Sequence, residues 1–359
     1  MKDIKCKILK TENELRDWNE FVARSKMCPI LQSVEWGELK KISGWQPIRI
    51  SILENDKIIA GISILKRKIP FIGKSIFYAP RGPIVDYHDE KIFSILIDRI
   101  REVAKKHNAI VLKIDPEVDE QDQKAKELLN KFKFVRLKKQ IQPRATFFLD
   151  LTQDLDTILS NCKSKHRYNI RLALKKGVTV QEMTNEEGMN RFYDIYEETA
   201  NRNNFMIHPR EYYRRVLQIL EPGKMVRIFV AFYNKKPIAS VYIFCFGEKI
   251  WYMYGSSSNE YRNVMPNHAI HWEVIKWAKE VGFKIYDLWG IPVDPKPGHP
   301  LFGVYRFKQG FKGQKKIFIG MHDLILKPFW YYLMNKGIKT YMNLRSLIRK
   351  GKISDSLEE

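Results

Sequence analysis

The sequence predicts an α/β chain in which one folding unit is used twice. Two runs of elements follow one another in the same order, at an offset that hardly changes. Ile59 and Ile238 lie 179 apart, Tyr78 and Tyr254 lie 176 apart, and Ile114 and Leu288 lie 174 apart. Composition agrees. A chain of 359 residues with 44% apolar and 13% aromatic side chains can fill two cores, and disorder is excluded as its main state.

In the first run, "PIRISILEND" and "KIIAGISILK" alternate in polarity around a turn at Glu54 to Lys57, the pattern of a hairpin. "SIFYAPRGPIV" reads as a third strand, 89–107 as a helix, and "AIVLKIDP" as an apolar strand. In the second run the hairpin is "VRIFVAFYNKKPIASVYIFCF", turning at Asn234 to Lys236. "KIWYMYGSSS" is the third strand, 264–281 the helix, and "FKIYDLWGI" the last strand. Further helices are expected over 163–176 and 186–220.

The formal net charge of +22 points to nucleic acid, an anionic membrane surface or a phosphorylated substrate; a lysine-rich background is the plain alternative. Its densest stretch is "KSKHRYNIRLALKKGV". There Lys163, Arg167, Arg171 and Lys175 recur at i, i+4 as a cationic stripe, while Ile170, Ala173 and Leu174 share another side. A solvated helix face is the bland reading of that stripe. The four cysteines show no CxxC pair and no metal spacing, so a reduced, cytoplasmic protein without a metal is expected. The start lacks the apolar core of a signal peptide, and no apolar run approaches the ~20 residues of a membrane span.

Hairpin, strand, helix, strand is the core order of the GNAT acyltransferase fold. In that superfamily a glycine-bearing [RQ]-x-x-G-x-[GA] loop brings backbone amides to the coenzyme A pyrophosphate. The corresponding loops here, "YRNVMPNHA" and "IVDYHDEKIF", lack those glycines. No coenzyme A site of the usual kind is expected, and no other cofactor.

Ten ordered stretches carry a closer resemblance. Among them are "LQSVEWGELK", "YAPRGPIVD", "LKIDPE", "SKHRYNIRLALKKGV", "ETANRNNF", "WYMYGSSS", "YDLWGI" and "GVYRFKQGF". Together they resemble the FemABX family of aminoacyltransferases. The resemblance implies two tandem GNAT-like domains, each a mixed, mostly antiparallel sheet with flanking helices, and a cleft between them. It places the first domain at 1–145 plus 317–359 and the second at 146–316. It also implies transfer of Gly, Ala or Ser from an aminoacyl-tRNA to the stem-peptide amine of a peptidoglycan precursor, either lipid-linked or UDP-linked.

An aminoacyl ester is already activated, so no enzyme nucleophile is needed. Positioning, charge stabilisation on the carbonyl and removal of an amine proton remain. By resemblance, Phe307 and Lys308 of "RFKQGF" sit at the tRNA terminus, with Lys308 at the oxyanion in an aromatic, flexible setting. Asp115, at the end of an apolar strand, is a candidate base or orienter of the amine; a turn cap is the plain alternative. Lys40, four residues after Trp36 in "EWGELK", and Arg202 match an acceptor diphosphate clamp. Trp36, Arg81 and Tyr254 are further acceptor contacts, and the stripe 163–176 meets tRNA phosphates.

The chain has no room after 186–220 for the helical arm of some family members. From Asp323 to Asp355 it has no acid, so a basic, aromatic tail helix is expected either on an anionic inner leaflet or docked on the first domain. Transfer to a different amine, and a non-catalytic RNA-binding paralogue, are the competing functions.

Overall fold

The computed structural model describes residues 4–336. The chain divides into two compact units, one running to Arg144 and resuming at Ile317, the other spanning Ala145–Lys316. In the first, β1 (Ile4–Ile8), β2 (Gln46–Glu54), β3 (Lys57–Ile69), β4 (Lys74–Ala79), β5 (Ala109–Ile114) and β6 (Phe134–Arg136) belong to one sheet. The second unit holds β7 (Ala145–Asp150), β8 (Thr179–Glu182), β9 (Val226–Tyr233), β10 (Lys236–Phe246), β11 (Lys249–Ser257), β12 (Ile285–Asp287) and β13 (Gln314–Ile317). The chain then returns to the first unit as β14 (His322–Ile325).

The two seven-stranded sheets have one plan. Their orders are β1-β2-β3-β4-β5-β14-β6 and β8-β9-β10-β11-β12-β7-β13. In each, the fourth and fifth strands form a parallel pair, and the sixth runs antiparallel to the fifth. That sixth strand enters from opposite directions along the chain. The second unit takes β7, which precedes its other strands, whereas the first takes β14, made after the whole second unit.

β2 and β3 are buried over consecutive residues rather than alternately, because both faces of the first sheet are covered. One cover is the helix Glu90–Lys106, which buries Ile92, Phe93, Leu96, Ile97, Ile100 and Val103 at helical spacing. Another is the helix Glu12–Arg24, which begins with a Thr11–Glu14 capping box and sets Trp18 against β3. Gly61 permits this contact: a Cβ there would stand 2.5 Å from both the Trp18 ring and the Ile50 carbonyl. Trp18 Nε1 donates to the Gln32 carbonyl at 2.8 Å. The Gln32 side chain, fully buried, bridges Ser63 and Pro80: its amide donates to both carbonyls, and its Oε1 accepts from the Ser63 amide at 2.7 Å.

Three expected elements are shorter or divided. The segment 186–220 forms two helices, Glu186–Asn203 and Arg210–Leu220. Asn204 turns left-handed at φ +53° and Pro209 precedes the second helix, so the first cannot continue. β4 stops at Ala79, two residues before Arg81 turns left-handed at φ +58°. β12 stops at Asp287 because Trp289 does the same at φ +57°. The tail from Gly337 to Asp355 lies outside the described residues; residues 328–336 are helical.

Gln32→Ala would strip partners from three buried backbone groups. The expected cost is about 3 kcal/mol, visible as a lowered midpoint in denaturant with an unchanged slope.

Candidate functional site

The second unit contains a site built around a buried lysine. β11 and β12 pair from Lys249–Ile285 to Trp251–Asp287 and no further. Beyond that point β11 runs on to Ser257, paired with β10 alone. The sheet is therefore open beside Tyr252 and the residues after it. Asp287, at the end of β12, accepts from the Trp289 amide at 2.7 Å and from the Thr146 hydroxyl. These bonds hold Trp289 in its left-handed conformation, which costs a non-glycine residue roughly 1–2 kcal/mol. The turn aims two carbonyls at one cation: Lys308 Nζ donates to Gly290 O at 2.9 Å and Trp289 O at 3.3 Å.

Lys308 lies on the helix Phe302–Gln309 and is only 6% exposed, so its setting is packed rather than flexible. Burial pushes its pKa down from 10.5 to about 7, with the Asp287 charge opposing. An ammonium has three protons, and two go to the carbonyls. The third can serve an oxygen that becomes negative.

Aromatic rings wall this lysine. Its Nζ lies 5.4 Å from the Tyr252 ring centroid. Phe307 and Phe311 pack at 5.4 Å, and the rings of His166, His268 and His271 pack around Phe307 at 5.6, 5.3 and 5.3 Å. Gly310 lets His166 in; a Cβ there would stand 1.8 Å from the imidazole. His166 Nε2 donates to the Phe307 carbonyl at 2.9 Å, and Tyr286 OH lies 2.9 Å from His271 Nδ1. His271 Nε2 has no hydrogen-bond partner among the described residues. Burial lowers the pKa of all three imidazoles, those of His268 and His271 to about 3. The sequence reading gave none of these histidines a role. His268 and His271 stand at i, i+3 within "NHAIH", a spacing that puts both on one helix face.

The cationic stripe is on the helix Ser164–Lys175, and its residues divide. His166, Asn169, Ile170 and Ala173 form the buried face. Leu174, expected on the buried side, is 47% exposed because it lies about 90° from the centre of that face. Arg171 and Lys175 point to solvent. Arg167 is half-buried, and its guanidinium donates to the carbonyls of Ser160 and Cys162, capping the preceding helix. Lys163 Nζ donates to Gln309 Oε1 at 2.6 Å, which ties the stripe to the Lys308 segment.

In the first unit, Asp115 is 1% exposed and both its oxygens are engaged. Oδ1 accepts from the Arg81 amide at 2.6 Å, and Oδ2 from the Tyr78 hydroxyl at 2.7 Å. Burial raises its pKa to about 6 against the pull of Arg81. The Arg81 guanidinium is buried too: it donates to Pro143 O at 2.8 Å and lies 3.5 Å from Glu117. This is an internal tie, not an open acceptor contact. Trp36 is buried beneath Lys40, whose ammonium lies 4.3 Å from its ring centroid. Arg202 belongs to the second unit, where it donates to Ser257 O, Ser257 Oγ and Asn259 Oδ1. Tyr254 packs among Tyr213, Tyr242 and Phe244 in an aromatic cluster instead of presenting its ring to a ligand.

Comparison with known proteins follows the same division. Residues 12–134 match the FemAB family, and residues 160–309 match the acetyltransferase (GNAT) domain. The lipid II:glycine glycyltransferase of Staphylococcus epidermidis is 26% identical, over 88% of this chain and 92% of that protein. That of Staphylococcus aureus is also 26% identical, over 89% and 94%. The crystal structure of FemX superposes with a TM-score of 0.85 at 23% identity, covering 91% of this chain and 99% of that one. A tandem GNAT protein from the clavulanic acid pathway gives 0.54 at 10% identity, over 90% and 99%. The fold is that of two GNAT-like units in tandem, and the GNAT match and the similar glycyltransferases mark the chain as a transferase. The chain is similar, over most of its length, to members of the FemAB family.

The histidines set an acid limit on stability. In the unfolded chain they bind protons near pH 6.5, which folded His268 and His271 refuse until about pH 3. Their contribution is complete above pH 6.5 and is lost as the pH falls from there. The expected slope is up to about 1.4 kcal/mol per pH unit for each. Denaturant titrations between pH 7 and 5 measure it, and replacing both with Gln should flatten the slope.

Proposed function

We propose that this chain transfers an aminoacyl group, glycine first among Gly, Ala and Ser, from an aminoacyl-tRNA to an amine of a peptidoglycan precursor. The observation that carries the reading is Lys308, desolvated at the parting of β11 and β12, with a proton to spare and aromatic walls beside it. Such walls suit a terminal adenine, which stacks without base reading. Glycine comes first because the similar staphylococcal proteins are glycyltransferases acting on lipid II.

In the reaction the acceptor amine attacks the ester carbonyl, and the oxygen that becomes negative takes the third Lys308 proton as a hydrogen bond. The C–O bond to the ribose breaks, an amide forms, and the proton released by the amine ends on the departing ribose oxygen. Asp115 acts by positioning: its enclosed carboxylate holds Tyr78 and the Arg81 turn. Phe307 stacks at the donor end. Each within its own unit, Lys40 above the Trp36 ring and Arg202 beside Ser257 offer cations to acceptor phosphate. Burial first, and the Arg262 charge after it, lower the Arg202 pKa, and a bound anion would oppose both. Lys163, Arg171 and Lys175 meet tRNA phosphates, while Arg167 shapes the helix that presents them.

The deciding experiment incubates the chain with glycyl-, alanyl- and seryl-tRNA and with lipid-linked and UDP-linked precursors, then weighs the products. A precursor heavier by one aminoacyl residue supports the reading. Tight RNA retention with no product from any pair overturns it in favour of a binding paralogue.

Lys308→Ala should lower turnover by roughly 10²–10³-fold while leaving tRNA retention within a small factor. Single-turnover rates with saturating charged tRNA measure this directly.

Reversing Arg171 and Lys175 to Glu should weaken tRNA binding and flatten its dependence on salt, without a change in melting temperature. Arg167→Glu differs, because it also removes a helix cap worth about 1 kcal/mol. Binding isotherms across a salt series, paired with thermal melts, separate the two effects.

A further inference from the structure

One end of the first sheet carries apolar side chains that the described residues do not cover. β3 and β4 form a hairpin closed by Ile69–Lys74, with Pro70 to Gly73 at its tip. Phe71 at that tip is 106% exposed, and Ile72 is 39% exposed. Phe71 also sits at φ +67°, a region that bulky residues avoid. A phenylalanine held left-handed with its ring wholly in water costs free energy on both counts, and no contact within the described chain offsets it.

The fold brings a second apolar group to the same end. Ser75, just after the tip, donates its amide to Asn108 and pairs with Ala109 at the start of β5. β14 runs antiparallel to β5 and finishes at Ile325 opposite Val111. Residues 328–336 therefore begin beside the hairpin base, and Lys74 Nζ lies 4.9 Å from the Trp330 ring centroid. Within this segment Tyr331 faces inward, donating to Asp323 at 2.8 Å. Phe329, Tyr332 and Leu333, at i, i+3 and i+4, are 67%, 63% and 41% exposed.

Charge frames these side chains with one sign. No acid occurs from Lys57 to Val85, nor from Leu324 to Lys336. Lys66, Arg67, Lys68 and Lys74 flank the tip, and Lys327 stands at the helix start. Aromatic and aliphatic side chains that protrude among lysines match the headgroup region of an anionic bilayer. There the rings enter the acyl boundary while the ammonium groups meet lipid phosphates. An RNA would use the same cations and could stack on Phe71, but it has no use for Ile72 and Leu333, which do not stack.

We propose that the first unit docks on an anionic lipid surface through the β3–β4 tip and the exposed face of residues 328–336. A lipid-linked acceptor would lie in such a surface, so the inference deepens the proposed function. Vesicle binding is read without any transfer reaction, so failure of either is seen separately.

The test is co-sedimentation of the full chain with phosphatidylcholine vesicles, with and without phosphatidylglycerol. The wild type should sediment with the anionic vesicles and much less with the neutral ones. The double variant Phe71→Ser, Ile72→Ser should lose binding by about tenfold or more, with an unchanged melting temperature because both side chains are exposed. Arg67→Glu with Lys68→Glu should abolish the preference for anionic lipid. The proposal is overturned if the wild type ignores anionic vesicles, or if the tip variant sediments as well as the wild type. It is equally overturned if the tip variant loses RNA retention rather than vesicle binding, since the face would then belong to nucleic acid.

Discussion

In each unit a carboxylate buried at the end of the fifth strand holds a residue in the left-handed region. Asp115 accepts from the amide of Arg81, and Asp287 from that of Trp289. A buried carboxylate is tolerated only when its oxygens are well supplied with donors, and a left-handed side chain only when something holds it. Each feature meets the other's requirement. In the second unit the consequence is chemical: the held turn supplies the two carbonyls that accept from a lysine only 6% exposed. Without Asp287 there is no fixed turn, and without the turn Lys308 has no reason to stay inside.

The same device serves opposite ends in the two sheets. In the first, β4 and β5 stay paired until Ala79 meets Ile114, the last residue of each. Asp115 then seals that end by binding Tyr78 and Arg81 together. In the second, β11 outruns β12 by six residues, Tyr252 to Ser257, and the parallel pair opens. One copy of the unit is closed at that end of its parallel pair and the other is open. The asymmetry comes from strand length, three residues in β12 against six in β5.

The long, strongly patterned elements were legible in the sequence because their signal is local. Both hairpins show at their turns, and the tandem pairing of units shows in the nearly constant offset. The sixth strand of the first sheet was not legible, since the four residues of β14 are too few to display a period and their partners lie 186 to 214 positions away. The motif "RFKQGF" singled out Lys308 as a candidate but gave no sign of its burial against carbonyls of a distant turn. The stripe was read as four equal cations, yet Arg167 spends its charge on the carbonyls of a neighbouring helix. Arg81 and Tyr254 looked like contacts for a ligand, and both serve packing. Nothing in a linear pattern separates an arginine that waits for an anion from one that ties a loop.

The late return of β14 also orders the birth of the protein. As the nascent chain leaves the ribosome, β1 to β6 emerge first, but β5 and β6 have no common neighbour until His322–Ile325 is made. The intervening unit, contiguous from Ala145, has all seven of its strands by Ile317. The unit translated second can therefore mature first, while its predecessor waits with two bare strand edges, the kind of surface that invites mispairing. Completion of the first sheet thus reports that translation has passed residue 325, and a prematurely terminated product exposes those edges to proteases and chaperones.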